Sequence, residues 1–137
     1  MSGVQIPPSL PKKNMQNVVA AVIKKNDYYL IVQRNRNKHL AWKWEFPGGK
    51  VNKNETFENA LTREIYEELN LYIHIERKIT KEYFKDTKIN IILHYYLCII
   101  ESGTLKLNEH EKFIWVKKND FYKYNFAGSD AKITSFL

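Results

Sequence analysis

Residues 63–70 read Arg-Glu-Ile-Tyr-Glu-Glu-Leu-Asn, so Glu64, Glu67 and Glu68 crowd together in a chain whose formal charge is +7. On a helix advancing about 100° per residue, setting Glu64 at zero puts Glu68 near +40° and Glu67 near −60°, and all three share one arc. Phe57, Leu61, Ile65 and Leu69 fall between about +20° and +140° in the same frame. Glu64 and Glu68 therefore intrude on the edge of the apolar stripe, where a solvated charge run would not sit. Carboxylates converging there repel one another and resist desolvation. A cation answers both problems, and hard oxygen ligands suit Mg²⁺ or Mn²⁺. Upstream, Pro47-Gly48-Gly49-Lys50 offers a sharp turn, a backbone that a ligand can approach closely, and a positive charge. That corner suits phosphate.

The elements that must position these groups can be read from hydrophobic pattern. NVVAAVIK (17–24) and YYLIVQR (28–34) are β-branched and aromatic runs around Lys25-Asn26-Asp27, which predicts a hairpin. WEF (44–46) predicts a short strand entering the glycine turn. Thr56 is placed to cap a helix over 57–69. YIHIERKITKEYF and KINIILHYYLCII predict two long strands joined near Asp86-Thr87, FIWV (113–116) another short one, and NDFYKY and SDAKITSFL terminal helices. Residues 1–15 carry three prolines and no period, which reads as a tail before a single domain at 16–137. A mixed sheet covered by helices fits this order.

Composition excludes some classes and leaves others open. A length of 137 residues at 44% hydrophobic content suits one domain with a real core. The longest near-apolar run, 91–100, is too short for a membrane span, and the first residues lack the apolar centre of a secretory signal, so a cytoplasmic, non-membrane protein is expected. Cys98, the single cysteine, sits in an apolar strand and reads as a buried thiol. All 22 basic residues except Arg34, Arg36, Arg63 and Arg77 are lysines, and they are scattered. A diffuse positive field is compatible with nucleotides and with nucleic acid and decides neither. His39, His74, His94 and His110 show no ligand spacing and read as surface or structural groups. The pair Phe113 and Trp115 reads as core. Trp42, Trp44 and Phe84 flank the expected pocket as base walls or as packing.

The spacing G-x5-E-x7-R-E-x2-E-E joins Gly49, Glu55, Arg63, Glu64, Glu67 and Glu68. Here the sequence resembles the Nudix hydrolase family, whose box is GX5EX7REUXEEXGU. Asn70 replaces the box glycine after the helix, and asparagine tolerates the left-handed backbone needed there. WEFPGGKV (44–51), Arg34 and Glu109 extend the similarity to the MutT-like branch over about 17–137.

The resemblance implies an α/β (α+β) fold, an α/β/α sandwich with a central mixed β-sheet. It implies metal-dependent hydrolysis of nucleoside triphosphates to monophosphate and pyrophosphate by water attacking phosphorus. Oxidised purines such as 8-oxo-dGTP come first, with CTP, dCTP or another nucleoside-diphosphate-linked compound as alternatives. A non-catalytic nucleotide- or RNA-binding module is the reading from a different class, and no stable nucleic-acid partner is expected; a monomer or homodimer is. In family terms Glu64, Glu67 and Glu68 hold Mg²⁺ or Mn²⁺ with the Gly49 carbonyl and Glu109, and Arg63 and Glu55 orient the carboxylates. Lys50 and Arg34 steady phosphates, and Phe84 borders the base. Glu64 is the expected general base, with Glu109 or Glu111 as loop alternatives. Asp130 either reads the base edge or caps the last helix.

Overall fold

The computed structural model describes residues 15–137, so the expected tail lies, but for its last residue, outside the described residues. The chain runs β1 (Gln16–Lys25), β2 (Tyr28–Gln33), β3 (Trp44–Glu45), β4 (Gly48–Lys50), α1 (Phe57–Leu69), β5 (Leu71–Lys85), β6 (Asn90–Gly103) and β7 (Lys112–Lys117). Two 3₁₀ helices follow, Lys118–Lys123 and Asp130–Phe136. The seven strands form one mixed sheet whose central path is β3-β2-β1-β6-β5, with β4 added to β1 and β7 to β2. Among the named strands of the described residues, β1 and β6 pair in parallel and the other pairs are antiparallel.

Alternation along β1 divides the core. Val19, Ala21 and Ile23 face α1, where they meet Leu61, Ile65 and Leu69. Ala20 and Val22 face the opposite side with Tyr95, Phe121 and Ile133, which the two 3₁₀ helices help to cover. Each fully buried aliphatic side chain contributes roughly 1.5–3 kcal/mol relative to exposure, so the apolar stripe of α1 suffices to clamp the helix to the sheet. Its ends are fixed locally. Thr56 Oγ accepts from the Asn59 amide at 3.0 Å, and Asn70 takes the left-handed conformation at φ 58°, ψ 33°.

The pattern reading departs from the structure in three places. Gly48–Lys50, read as a turn, is a strand paired to Val18–Ala20. It lies so close that a Cβ on Gly48 would fall 1.9 Å from the Val19 carbonyl oxygen, so only glycine fits that register. The terminal helices are 3₁₀, and neither has a side-chain cap bond. Trp115 packs on the core as expected, but Phe113, two residues earlier on the same face of β7 and near the start of the strand, is 44% exposed. Cys98 is buried, and burial pushes its thiol up to about 12, an inert group. Among the described residues, no helix is long and apolar enough to cross a membrane.

Candidate active site

The position of the cavity follows from a change of partner along β1. β2 pairs with β1 only at Lys24 and Lys25, while Val18–Ala20 pair with β4. Beside that junction opens a cavity of about 500 Å³. Its lining falls into an acidic group, Gly49, Glu64, Glu68 and Glu109, and an apolar group that includes Phe84, Ile91 and Leu93 with Asp130.

Arg63 reaches the acidic group at Glu64 and ties it to carboxylates beside the cavity. Its Nε and Nη2 donate to Glu55 at 2.7 and 2.9 Å, its Nη1 to Glu64 and Glu67 at 3.1 Å each, and Nη2 also to the Lys50 carbonyl at 3.0 Å. Every guanidinium N–H is used. The Arg63 bond, with the Asn52 amide, holds the Glu55 carboxyl down to about 2. Lys50 thus reaches this network through its backbone. Glu67, expected with the other two carboxylates, is 57% exposed on its side chain and turned toward Arg63. Glu109 reaches the cavity from the loop before β7.

Glu68 behaves differently. It is 6% exposed, and burial, with Glu64 and Glu109 next to it, pushes its carboxyl up to about 10. Its Oε1 is buried without a hydrogen-bond partner. Glu64 is also raised, first by burial, against the lowering pull of Arg63. Gly49 lies against it: a Cβ there would sit 2.3 Å from the Glu64 carboxyl carbon. A buried carboxylate oxygen without a donor, a second carboxylate beside it and a backbone cleared of side chains form a hard-oxygen donor set that fits Mg²⁺ or Mn²⁺. As they stand, no three His, Cys, Asp or Glu side chains among the described residues already enclose one point.

Within the second group, Asp130 is buried and does not cap. Its Oδ2 accepts from the Phe46 amide at 2.9 Å and its Oδ1 from the Tyr95 hydroxyl, and Ser129 precedes the helix instead. Burial pushes the Asp130 carboxyl up to about 7 despite the Tyr95 bond. The Phe84 ring lies 3.5 Å from where a Gly128 Cβ would be, so one face of the ring is covered by bare backbone. Trp44 packs edge-on against Tyr124.

Arg34 lines the cavity, but its guanidinium is engaged: Nη1 with Glu45 at 2.7 Å and Nε with the His39 carbonyl at 2.7 Å. Glu45 also bonds His110 Nε2 at 2.9 Å. Burial raises Glu45, yet His110 and Arg34 outweigh it and hold the carboxyl low. Glu45, His39 and His110 were not legible as site residues. Their partners are remote in sequence, and no local spacing marks them. Glu111 pairs with Arg36 across the surface, and His94, between Asn17 and Lys78, is a satisfied structural group pushed down to about 4 by burial.

A family model described as NUDIX domain matches residues 13–137. The chain is 32% identical over 116 residues to a CTP pyrophosphohydrolase of Escherichia coli (strain K12), covering 85% of this chain and 86% of that protein. It is also 32% identical over 118 residues to an 8-oxo-dGTP diphosphatase of Buchnera aphidicola subsp. Schizaphis graminum, covering 85% and 87%. Among solved structures, the solution structure of the E. coli ORF135 protein superposes with a TM-score of 0.76 at 30% identity, over 89% of this chain and 87% of that one. A MutT NUDIX hydrolase from Burkholderia pseudomallei superposes at 0.82 and 23% identity, over 90% and 98%, a likeness of fold.

Proposed function

The chain belongs to the NUDIX family and is a pyrophosphohydrolase, and from that premise we propose that it cleaves nucleoside triphosphates to monophosphate and pyrophosphate, with oxidised purine nucleotides such as 8-oxo-dGTP as first substrate. The observation that carries this reading is Glu68, a buried carboxyl whose Oε1 has no partner, with Glu64 and Glu109 beside it. Such a group is costly unless a cation completes it, and that cation would in turn attract a polyanion. Mg²⁺ or Mn²⁺, when bound by Glu64, Glu67, Glu68, the Gly49 carbonyl and Glu109, would supply charge neutralisation on the phosphate oxygens and make a water more acidic.

The chain's own residues do the rest. Arg63 fixes Glu55, Glu64 and Glu67 relative to one another through four hydrogen bonds, and a fifth ties it to the Lys50 carbonyl. Glu64 takes the proton as water oxygen attacks phosphorus, and the bridging oxygen leaves with the bond's electron pair. Lys50 and Arg34 lie beside the phosphates, and the apolar wall with Phe84 receives the flat base. Asp130 presents a buried polar atom at the base edge.

CTP is the second reading. Its support is the relative named a CTP pyrophosphohydrolase and the capacity of an ionised Asp130 to accept from a cytosine amino group. Release of pyrophosphate in Mg²⁺ from 8-oxo-dGTP, dGTP, CTP and ATP separates the two by rank order. Hydrolysis in ¹⁸O-water is expected to label pyrophosphate, the outcome of attack at the β-phosphorus. Release of orthophosphate alone, or of nothing from any triphosphate, would remove the proposal.

A further inference from the structure

The segment 34–43 carries backbone strain at two non-glycine positions, Leu40 at φ 58° and Trp42 at φ 69°. Left-handed backbone is unfavourable for such residues and persists only where surrounding contacts hold it. The neck of the segment is closed by Arg34 and Trp42–Lys43 backbone bonds. One flank is fastened to the loop that carries Glu109: Asn35 Nδ2 donates to the Glu109 carbonyl at 3.1 Å and the Arg36 amide to Glu111 at 3.2 Å. The other flank meets the β5–β6 turn through a side-chain pair. His39 Nε2 meets Asp86 Oδ2 at 2.5 Å. Asp86 is built to receive it, since its other oxygen accepts the Lys88 and Ile89 amides at 2.8 and 2.9 Å and tightens the β5–β6 turn.

His39 lines the cavity from one side, and Phe84 and Ile89, on either side of Asp86 in sequence, line it from the other. The contact therefore joins two walls of the pocket. The His39 carbonyl also accepts Arg34 Nε, so the same residue that ties the walls together aims the arginine that reaches Glu45.

We propose that His39 and Asp86 form a strap that positions segment 34–43, and with it Arg34, against the β5–β6 turn, and that this pair governs nucleotide capture rather than bond cleavage. Capture here rests on the reading of the cavity as the nucleotide pocket. Neither side chain touches the reacting atoms; both are positioning residues.

The test is a double-mutant cycle with His39→Ala, Asp86→Asn and the pair, read by amide hydrogen exchange over 36–42 without nucleotide and by steady-state kinetics on the best triphosphate. Loss of one charge-assisted bond is expected to raise exchange and KM each by about tenfold, with kcat within about twofold. The double variant should be no worse than the worse single. Unchanged exchange in both single variants, or additive effects in the double, overturns the strap. Hydrogen exchange reports on it even if no triphosphate is turned over, so loss of the functional reading and loss of the strap are separate results.

Discussion

One helix and the turn that leads into it present the same residue type in two opposite states. On the Arg63 side, Glu55 is bonded twice to the guanidinium and held down to about 2. On the cavity side, Glu68 has a buried oxygen with no donor and is pushed up to about 10, first by burial and then by Glu64 and Glu109. Glu64 stands between, touched by Arg63 yet raised. Arg63 answers Glu55 with a two-bond pair, whereas among the described residues no Lys or Arg pairs with Glu68. One side supplies geometry, and the other a set of buried oxygen donors that positive charge would stabilise.

The largest effect should follow from striking the cavity side. Glu68→Gln is expected to lower kcat/KM about 10³-fold or more, because several kcal/mol of charge stabilisation depend on that ligand. Steady-state kinetics in saturating Mg²⁺ measure it, and circular dichroism checks the fold. Striking the Arg63 side should cost less. Arg63→Lys keeps the charge but loses the fork, and a fall of about 10- to 100-fold is expected, typical of a group that orients ligands. Equal losses in the two variants would erase the distinction between the sides.

A smaller effect, about 1–3 kcal/mol, is expected in the ratio of kcat/KM for 8-oxo-dGTP over CTP in Asp130→Asn. The amide still accepts from Phe46 and can donate to the Tyr95 oxygen, so the melting temperature should drop by little. An unchanged ratio returns Asp130 to a purely structural role between Phe46 and Tyr95. The smallest effect belongs to Glu55→Gln. The folded Glu55 carboxyl lies below its ordinary 4.5, so its stabilisation is present above that value and fades as pH falls toward about 2. The variant should show a shallower loss of stability in acid melts and an activity change below about tenfold.

Much of the acidic side could be read from the chain because its signals are local. Helix α1 begins and ends where Thr56 and Asn70 predict, and the spacing from Gly49 to Glu68 lies within one loop and that helix. What escaped depends on distant partners. His39 meets Asp86 and His110 meets Glu45 across long sequence separations. Asp130 reads by position as either a base reader or a cap, and what the sequence does not mark is that its oxygens serve the amide of Phe46 and the hydroxyl of Tyr95. The strand at Gly48–Lys50 hides behind glycines that also signal turns.

The central claim, that the Glu68 side requires a cation, is tested most directly by thermal melts across pH with and without Mn²⁺. The folded Glu68 carboxyl is raised from 4.5 to about 10, so the folded state binds the extra proton and metal-free stability should fall as pH climbs through that window. Mn²⁺ should raise the melting temperature most at the upper end and flatten the slope, and Glu68→Gln should start flatter and gain much less. A parent that gains nothing from Mn²⁺ at pH 8, or a Glu68→Gln variant that gains as much as the parent, would contradict the account.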